Sequence, residues 1–279
     1  MINHKLFVEF LRVYSFQPAT AFWRAIEVDV LKKHLPQSGL CLDLGCGDGK
    51  LTSLLYDSKV PPELSFVGID SDPDETKQAE TFSFYKRIHT CLASNIPEDK
   101  NIFDFALSNS VLEHIQDIEN TLVEVSRLLK PGGSFLFTVP ALGFHQCLYG
   151  PLFNRGNRED YLREMDKRLA HYRYWTIDEW QTNLSNSGMT IESSVEYFDC
   201  KEVQRWETIS RFTAGIVYAL GKRKYSPIEV QKKLGLRKTQ NRISLPHWLA
   251  GLLSSILSIG INKQGNEQNA CLLILARKL

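Results

Sequence analysis

The stretch Cys41-Leu42-Asp43-Leu44-Gly45-Cys46-Gly47-Asp48-Gly49 decides how this chain is read. An apolar run, Leu40–Leu44, gives way to three glycines at alternate positions, and these feed the helical pattern of Lys50–Tyr56. Glycines let the backbone turn sharply and come within contact distance of a ligand that a Cβ would push away. The helix that follows adds N–H groups and a partial positive charge at its first turn. The next apolar run, Ser65–Ile69, ends at Asp70, where a carboxylate can accept hydrogen bonds from ribose hydroxyls. These features describe a nucleoside site at the C-terminal edge of a parallel sheet. A dinucleotide loop would place a sixth-position glycine where Lys50 stands, so the alternating pattern points to a different nucleoside.

Outward from this loop the same texture repeats. The periodicity predicts a helix over Glu75–Thr81, strands at Lys86–Cys91 and Ile102–Leu107, and an amphipathic helix over Gln116–Leu129 stopped by Pro131-Gly132-Gly133. A fifth strand, Ser134–Val139, closes at Pro140. Such β-α-β alternation forces parallel strands with right-handed crossovers, hence a Rossmann-like, doubly wound, mostly parallel sheet. Thr176 with Glu179 three residues on is a capping box for a helix to Ser187, and Met189–Phe198 and Asn269–Lys278 supply strands six and seven. The polar, aromatic stretch Ala141–Trp175 reads as a long functional connection. Ahead of the core, Leu6, Phe7, Phe10, Leu11 and Tyr14 mark an amphipathic helix, continued by Phe22, Ile26 and Val30. The expected organisation is an α/β fold with N-terminal helices (1–38), a core (39–198), a basic helical insertion (199–268) before the last strand, and that strand (269–279).

Charge is unevenly spread. The net charge of +1 splits into a balance of +10 over residues 200–279 and −9 before them. Either the tail is a solvated basic face or it meets an anionic surface. Leu245–Ile261 contains no acidic or basic side chain and is too short for a spanning helix. Its stripe of Leu249, Leu252, Leu253 and Ile256 suits packing on the core or lining the acceptor pocket. It also suits peripheral membrane contact through 222–261, beside Lys222-Arg223-Lys224 and Lys232-Lys233. The six cysteines show no CxxC pair and the N-terminus no signal-peptide pattern, which suits reduced thiols in a cytoplasmic protein. Acids and histidines are nowhere spaced to hold a metal, so none is expected.

Several ordered motifs together resemble class I S-adenosylmethionine-dependent methyltransferases, in the UbiE/COQ5-like branch. They are the glycine loop, Phe103-Asp104 with Ser108-Asn109-Ser110-Val111-Leu112-Glu113-His114-Ile115, and Arg127-Leu128-Leu129-Lys130-Pro131-Gly132-Gly133. The resemblance covers residues 40–140 and implies S-adenosylmethionine as cofactor. It implies that Asp43 and the backbone of Gly45, Cys46, Gly47 and Gly49 hold the methionine end, and that Asp70 with Ser71 takes the ribose. It further implies that Ala93 and Ser94 pass the adenine and that Asn109 lines the floor. Many relatives carry an aspartate where this chain has Leu92, so an adenine contact of about 0.5–1.5 kcal/mol is either lost here or taken over by Ser94 or a backbone carbonyl.

The acceptor expected from this branch is a small organic molecule, lipophilic if the tail meets lipid. Methyl transfer depends mainly on alignment, with a base needed only to take a proton from an oxygen or nitrogen acceptor. His145, just past the fifth strand, and His171, in His171-Tyr172-Arg173-Tyr174-Trp175, are the candidates; His114 is a weaker third. Phe22 and Trp23 suit either a lid or the core, and Arg24 with Glu27 suits a surface pair. Two other functions compete. One is a non-catalytic cofactor-binding module. The other is a nucleic-acid methyltransferase, disfavoured because the first 199 residues are acidic and no base-flipping motif follows the fourth strand, so no nucleic-acid partner is expected.

Overall fold

A computed structural model describes residues 2–151, 156–213, 244–261 and 269–279. In chain order the elements begin α1 (His4–Val13), α2 (Pro18–Leu31), β1 (Gly39–Leu44), α3 (Lys50–Leu55), β2 (Leu64–Asp70), α4 (Pro73–Ala79), β3 (Tyr85–Thr90) and β4 (Phe103–Asn109). A 3-10 turn at Leu112–His114 leads to α5 (Ile118–Leu128), β5 (Leu129–Pro140), α6 (Leu142–Cys147), α7 (Arg158–Leu169) and α8 (Ile177–Asn186). There follow β6 (Met189–Asp199), α9 (Cys200–Phe212), α10 (His247–Leu257) and β7 (Asn269–Lys278). Among the described residues no helix is long and apolar enough to cross a membrane.

The seven strands form one sheet in the order β3-β2-β1-β4-β5-β7-β6, the expected Rossmann-like α/β topology. β1 pairs in parallel with β2 on one side and β4 on the other, so the winding reverses at β1, where open α/β sheets bind ligands beyond their strand ends. β7 runs antiparallel to β5, from Ser134↔Arg277 to Pro140↔Cys271. The chain splits into two compact units. The sheet unit comprises Leu31–Ala141, Tyr172–Glu196 and Cys271–Leu279. Its core takes Ile118, Leu122, Val125 and Leu128 from the apolar stripe of α5, and Phe137 packs on Trp180 of α8 with ring centroids 4.9 Å apart. The Thr176–Glu179 capping box opens α8 as expected.

One boundary in this unit differs by more than two residues. β5 begins at Leu129 rather than Ser134, because Leu129 already pairs with Phe103, and Pro131-Gly132-Gly133 is taken up as an irregularity within the strand. The stop signal ended the helix without delaying the sheet.

The other unit comprises Met1–Val30, Leu142–His171 and Tyr197–Ala270. It gathers residues 142–171 with the N-terminal helices, although by sequence they fall within the core span. α1 buries Leu6, Phe7, Phe10 and Leu11, the expected stripe. Phe22 is fully buried, with its ring 5.4 Å from that of Phe7, which supports its reading as core. Glu27 is no surface residue. It is fully buried, 2.5 Å from the Arg24 guanidinium, and accepts from the Tyr197 hydroxyl at 3.2 Å.

Three further expectations are corrected here. The stretch 141–175 contains α6 and α7; in α7 the narrow apolar spacing of Leu162, Met165 and Leu169 is set among charged residues and buries only Met165. Cys147 and Cys200 form a disulfide with Cα atoms 4.7 Å apart, while Cys41, Cys46, Cys91 and Cys271 remain thiols. Helix α10 packs with its small residues, Ala250 and Ser254, inward, and leaves Leu252 and Ile256 exposed. The basic clusters at 222–224 and 232–233, and most of the 199–268 insertion, lie outside the described residues.

Candidate active site

The glycine loop is held from one side by the neighbouring strand. The N–H groups of Gly45 and Cys46 both donate to the Ile69 carbonyl, at 2.7 and 2.9 Å. Gly45 has φ +78, and a Cβ there would fall 2.4 Å from Val111 Cγ2, so only glycine fits under that side chain. Gly47 also has a positive φ, +52, but its surroundings are different. A Cβ on it would meet nothing closer than Glu75 Oε2 at 3.9 Å. Bare backbone therefore borders open space at Gly47, a cradle that any side chain would fill.

Asp70, at the tip of β2, is bonded to this loop. Its Oδ2 accepts from the Gly47 N–H and its Oδ1 from the Asp72 N–H, both at 2.9 Å. Each carboxylate oxygen has capacity for a second donor, so ribose hydroxyls can be received without breaking either bond. Ser71, next along, is exposed.

Asn109, at the end of β4, is 8% exposed and donates from Nδ2 to Thr138 Oγ1 at 2.6 Å. Ala93 and Ser94 lie in the loop after β3, half-buried, beside an exposed Leu92. That loop is anchored by groups the sequence did not single out. Glu124 accepts from the Ile96 N–H at 2.8 Å, and Arg127 donates to the carbonyls of Ile96 and Glu98. The Arg127 guanidinium and the Ile96 N–H together hold the Glu124 carboxyl below its usual range.

Asp43 sits beneath the loop at the end of β1, 4% exposed. Its Oδ2 accepts from Thr52 Oγ1 at 2.6 Å and from the Tyr85 hydroxyl at 2.5 Å. Burial raises its pKa to about 6, although both hydrogen bonds pull the other way. The carboxylate thus ties β1 to α3 and β3 and fixes the level at which the glycines leave the sheet. Thr52 and Tyr85 were not foreseen; Tyr85 reaches Asp43 across 42 residues, and no local spacing signals such a pair.

The candidate bases His145 and His171 lie in the other unit, each next to the Phe144 ring at centroid distances of 6.3 and 6.2 Å. His145 Nε2 lies 2.7 Å from Asp166 Oδ1. Arg158 fixes the backbone of this turn by donating to the carbonyls of His145 and Leu148. The His171 backbone N–H donates to the Asp166 carbonyl at 3.0 Å, which closes the C-terminal end of α7. Asp166 was missed because an acid in a charged helix carries no sequence mark. His114 belongs to the sheet unit, with its Nε2 3.9 Å from Glu113 Oε1.

A family described as a methyltransferase domain matches residues 20–194. An uncharacterized methyltransferase of Schizosaccharomyces pombe is 31% identical over 135 residues, 43% of this chain and 48% of that protein. The demethylmenaquinone methyltransferase of Symbiobacterium thermophilum is 31% identical over 113 residues, 38% of this chain and 45% of its own. The chain thus spans about half the length of these curated relatives. The crystal structure described as a sarcosine dimethylglycine methyltransferase from Galdieria sulphuraria superposes with a TM-score of 0.55 at 17% identity, over 92% of this chain and 83% of that one. That likeness concerns the fold.

Proposed function

The chain belongs to the methyltransferase-domain family matched over residues 20–194, whose cofactor is S-adenosylmethionine, and from that premise we propose that it methylates a small organic acceptor. The observation that carries the cofactor half is the bond between Gly47 N–H and Asp70, which joins an open stretch of backbone to a carboxylate at the next strand tip. When bound, the cofactor supplies a methyl group on a sulfonium, with a neutral thioether as leaving group. Asp70 would take the ribose hydroxyls, the Gly45–Gly49 backbone the amino-acid end, and the Ala93–Ser94 segment the adenine. Asn109, oriented by Thr138, would border the reacting end.

His145 is the residue we assign to proton removal. Its Nε2 lies 2.7 Å from Asp166 Oδ1, and that carboxylate would stabilise the imidazolium that forms. This is the orienting role an acid plays behind a histidine base, and it suits an acceptor hydroxyl or amine. His171 shares the Phe144 ring and completes an aromatic and imidazole surface suited to an apolar or aromatic acceptor. The small-molecule reading is supported by the relatives' branch, one member of which is named for a quinone precursor.

A labelled-methyl assay against separated low-molecular-weight, lipid, RNA and protein fractions of a cell extract tests the proposal. Label entering the low-molecular-weight or lipid fraction is expected, with one homocysteine-type product released per methyl transferred. Label confined to RNA or protein would overturn it.

A further inference from the structure

Helix α10 presents its larger side chains to solvent. Trp248, Leu252 and Ile256 are 70, 52 and 49% exposed, and their spacing of four places them along one face, with Ile259, 65% exposed, in the turn that follows the helix. The opposite face is occupied. Ala250 and Ser254 are buried, and Ser254 Oγ is 3.1 Å from His4 Nδ1 of α1, so the helix is seated with its apolar stripe outward. A run of exposed apolar residues this long marks an interaction surface rather than scattered surface residues.

At the C-terminal end of the stripe is a cavity of about 320 Å³. One face of α9 lines it with Lys201, Gln204, Arg205 and Thr208, and Tyr149, Gly260 and Ile261 complete the wall. Arg205 also donates to the Ile259 carbonyl at 2.6 Å, which ties the cationic cavity to the turn that follows the stripe. From Leu245 to Ile261 no acid dilutes this charge, and residues 200–279 as a whole balance at +10.

We propose that this face docks on an anionic lipid surface. The stripe would lie in the headgroup–acyl boundary, with Trp248 at the interfacial level and Lys201 and Arg205 taking a lipid phosphate. Three observations favour lipid over a protein partner. Tryptophan with large aliphatic residues opposite small ones is the composition of helices that lie in an interface. The eleven residues of α10 reach about 16 Å, too short to span a bilayer but sufficient to lie on it. The flanking charge is cationic and clustered at one end, as a lipid headgroup layer requires.

Vesicle flotation of the full chain tests this, using phosphatidylcholine vesicles with and without phosphatidylserine. The wild type is expected to float with phosphatidylserine-containing vesicles and to be released by high salt. The double variant Leu252→Ser/Ile256→Ser, at exposed positions, should keep the wild-type unfolding midpoint and lose binding at least about tenfold. Lys201→Glu should weaken binding to the anionic vesicles about fivefold or more while leaving binding to neutral vesicles unchanged. Failure of the wild type to float, or equal binding by the double variant, would overturn the proposal. So would a wild-type dimer that the double variant converts to monomer, since the face would then join two copies of the chain.

Discussion

Replacing Asp70 by Asn perturbs the proposed cofactor site while changing almost nothing in size. In the wild type both carboxylate oxygens accept backbone N–H groups, one from Gly47 and one from Asp72. A carboxamide keeps one acceptor and sets an NH₂ against the other N–H, so one loop bond is lost and two donors face each other. A backbone bond to a charged group contributes about 1.5–3 kcal/mol, and an orphaned donor costs about 1–3 kcal/mol where water is excluded. Gly47 is open on one side, so water relieves part of this, leaving about 1.5–2.5 kcal/mol. The ribose would also meet an amide instead of a carboxylate. Calorimetric titration with S-adenosylhomocysteine should therefore show Kd raised about tenfold to a hundredfold, with the far-ultraviolet spectrum unchanged. An unaltered Kd in a folded Asp70→Asn variant would refute the role given to this carboxylate.

Further outcomes follow from other contacts. Gly45→Ala puts a methyl 2.4 Å from Val111 Cγ2 at φ +78, so a loss of about 2–4 kcal/mol in urea unfolding is expected, partly restored by adding Val111→Ala; additive losses would count against the contact. Asp43 has a folded pKa of about 6 against an ordinary value of 3.8, so the fold favours its protonated form. That contribution is complete below about pH 4 and is lost as pH rises through 6. Tyr85→Phe removes a donor from the ionised carboxylate and should therefore destabilise the protein more at pH 7 than at pH 5; equal losses at both would remove Asp43 as the cause. His145→Ala should lower kcat about a hundredfold or more with cofactor affinity unchanged, and Asp166→Asn should lower it by a smaller factor; full activity in His145→Ala would end its assignment as base. Reducing the Cys147–Cys200 bridge reopens a 53-residue separation, a loss of about 4 kcal/mol in the chain-entropy account, and should lower the thermal midpoint of the oxidised protein. An unchanged midpoint after verified reduction would deny the bridge that role.

The sheet was legible because its strands are short apolar runs set off by Gly, Pro and charged residues. Leu40–Leu44, Ser65–Ile69 and Asn269–Lys278 each carry a pattern complete within a few residues. The turn after β1 and its bond to Asp70 were legible for the same local reason, since the glycines and the acid announce themselves by type and interval. What escaped was either unpatterned or distant. α7 is mostly charged, and its narrow apolar face of Leu162, Met165 and Leu169 buries one residue, so it resembled a connection. Cys147 finds Cys200, and Tyr85 finds Asp43, only after the chain has folded. In α10 the apolar residues were visible but their direction was not, because the small residues opposite them proved the better fit against α1.

The central claim is that backbone at Gly45–Gly49 and the carboxylate of Asp70 together grip an adenosyl sulfonium compound. A crystal structure of the chain soaked in S-adenosylhomocysteine tests this most directly. The ribose hydroxyls should lie within hydrogen-bond distance of Asp70, with the amino-acid end along the open backbone at Gly47. Density for the ligand elsewhere, or none at these residues at saturating concentration, would contradict the claim.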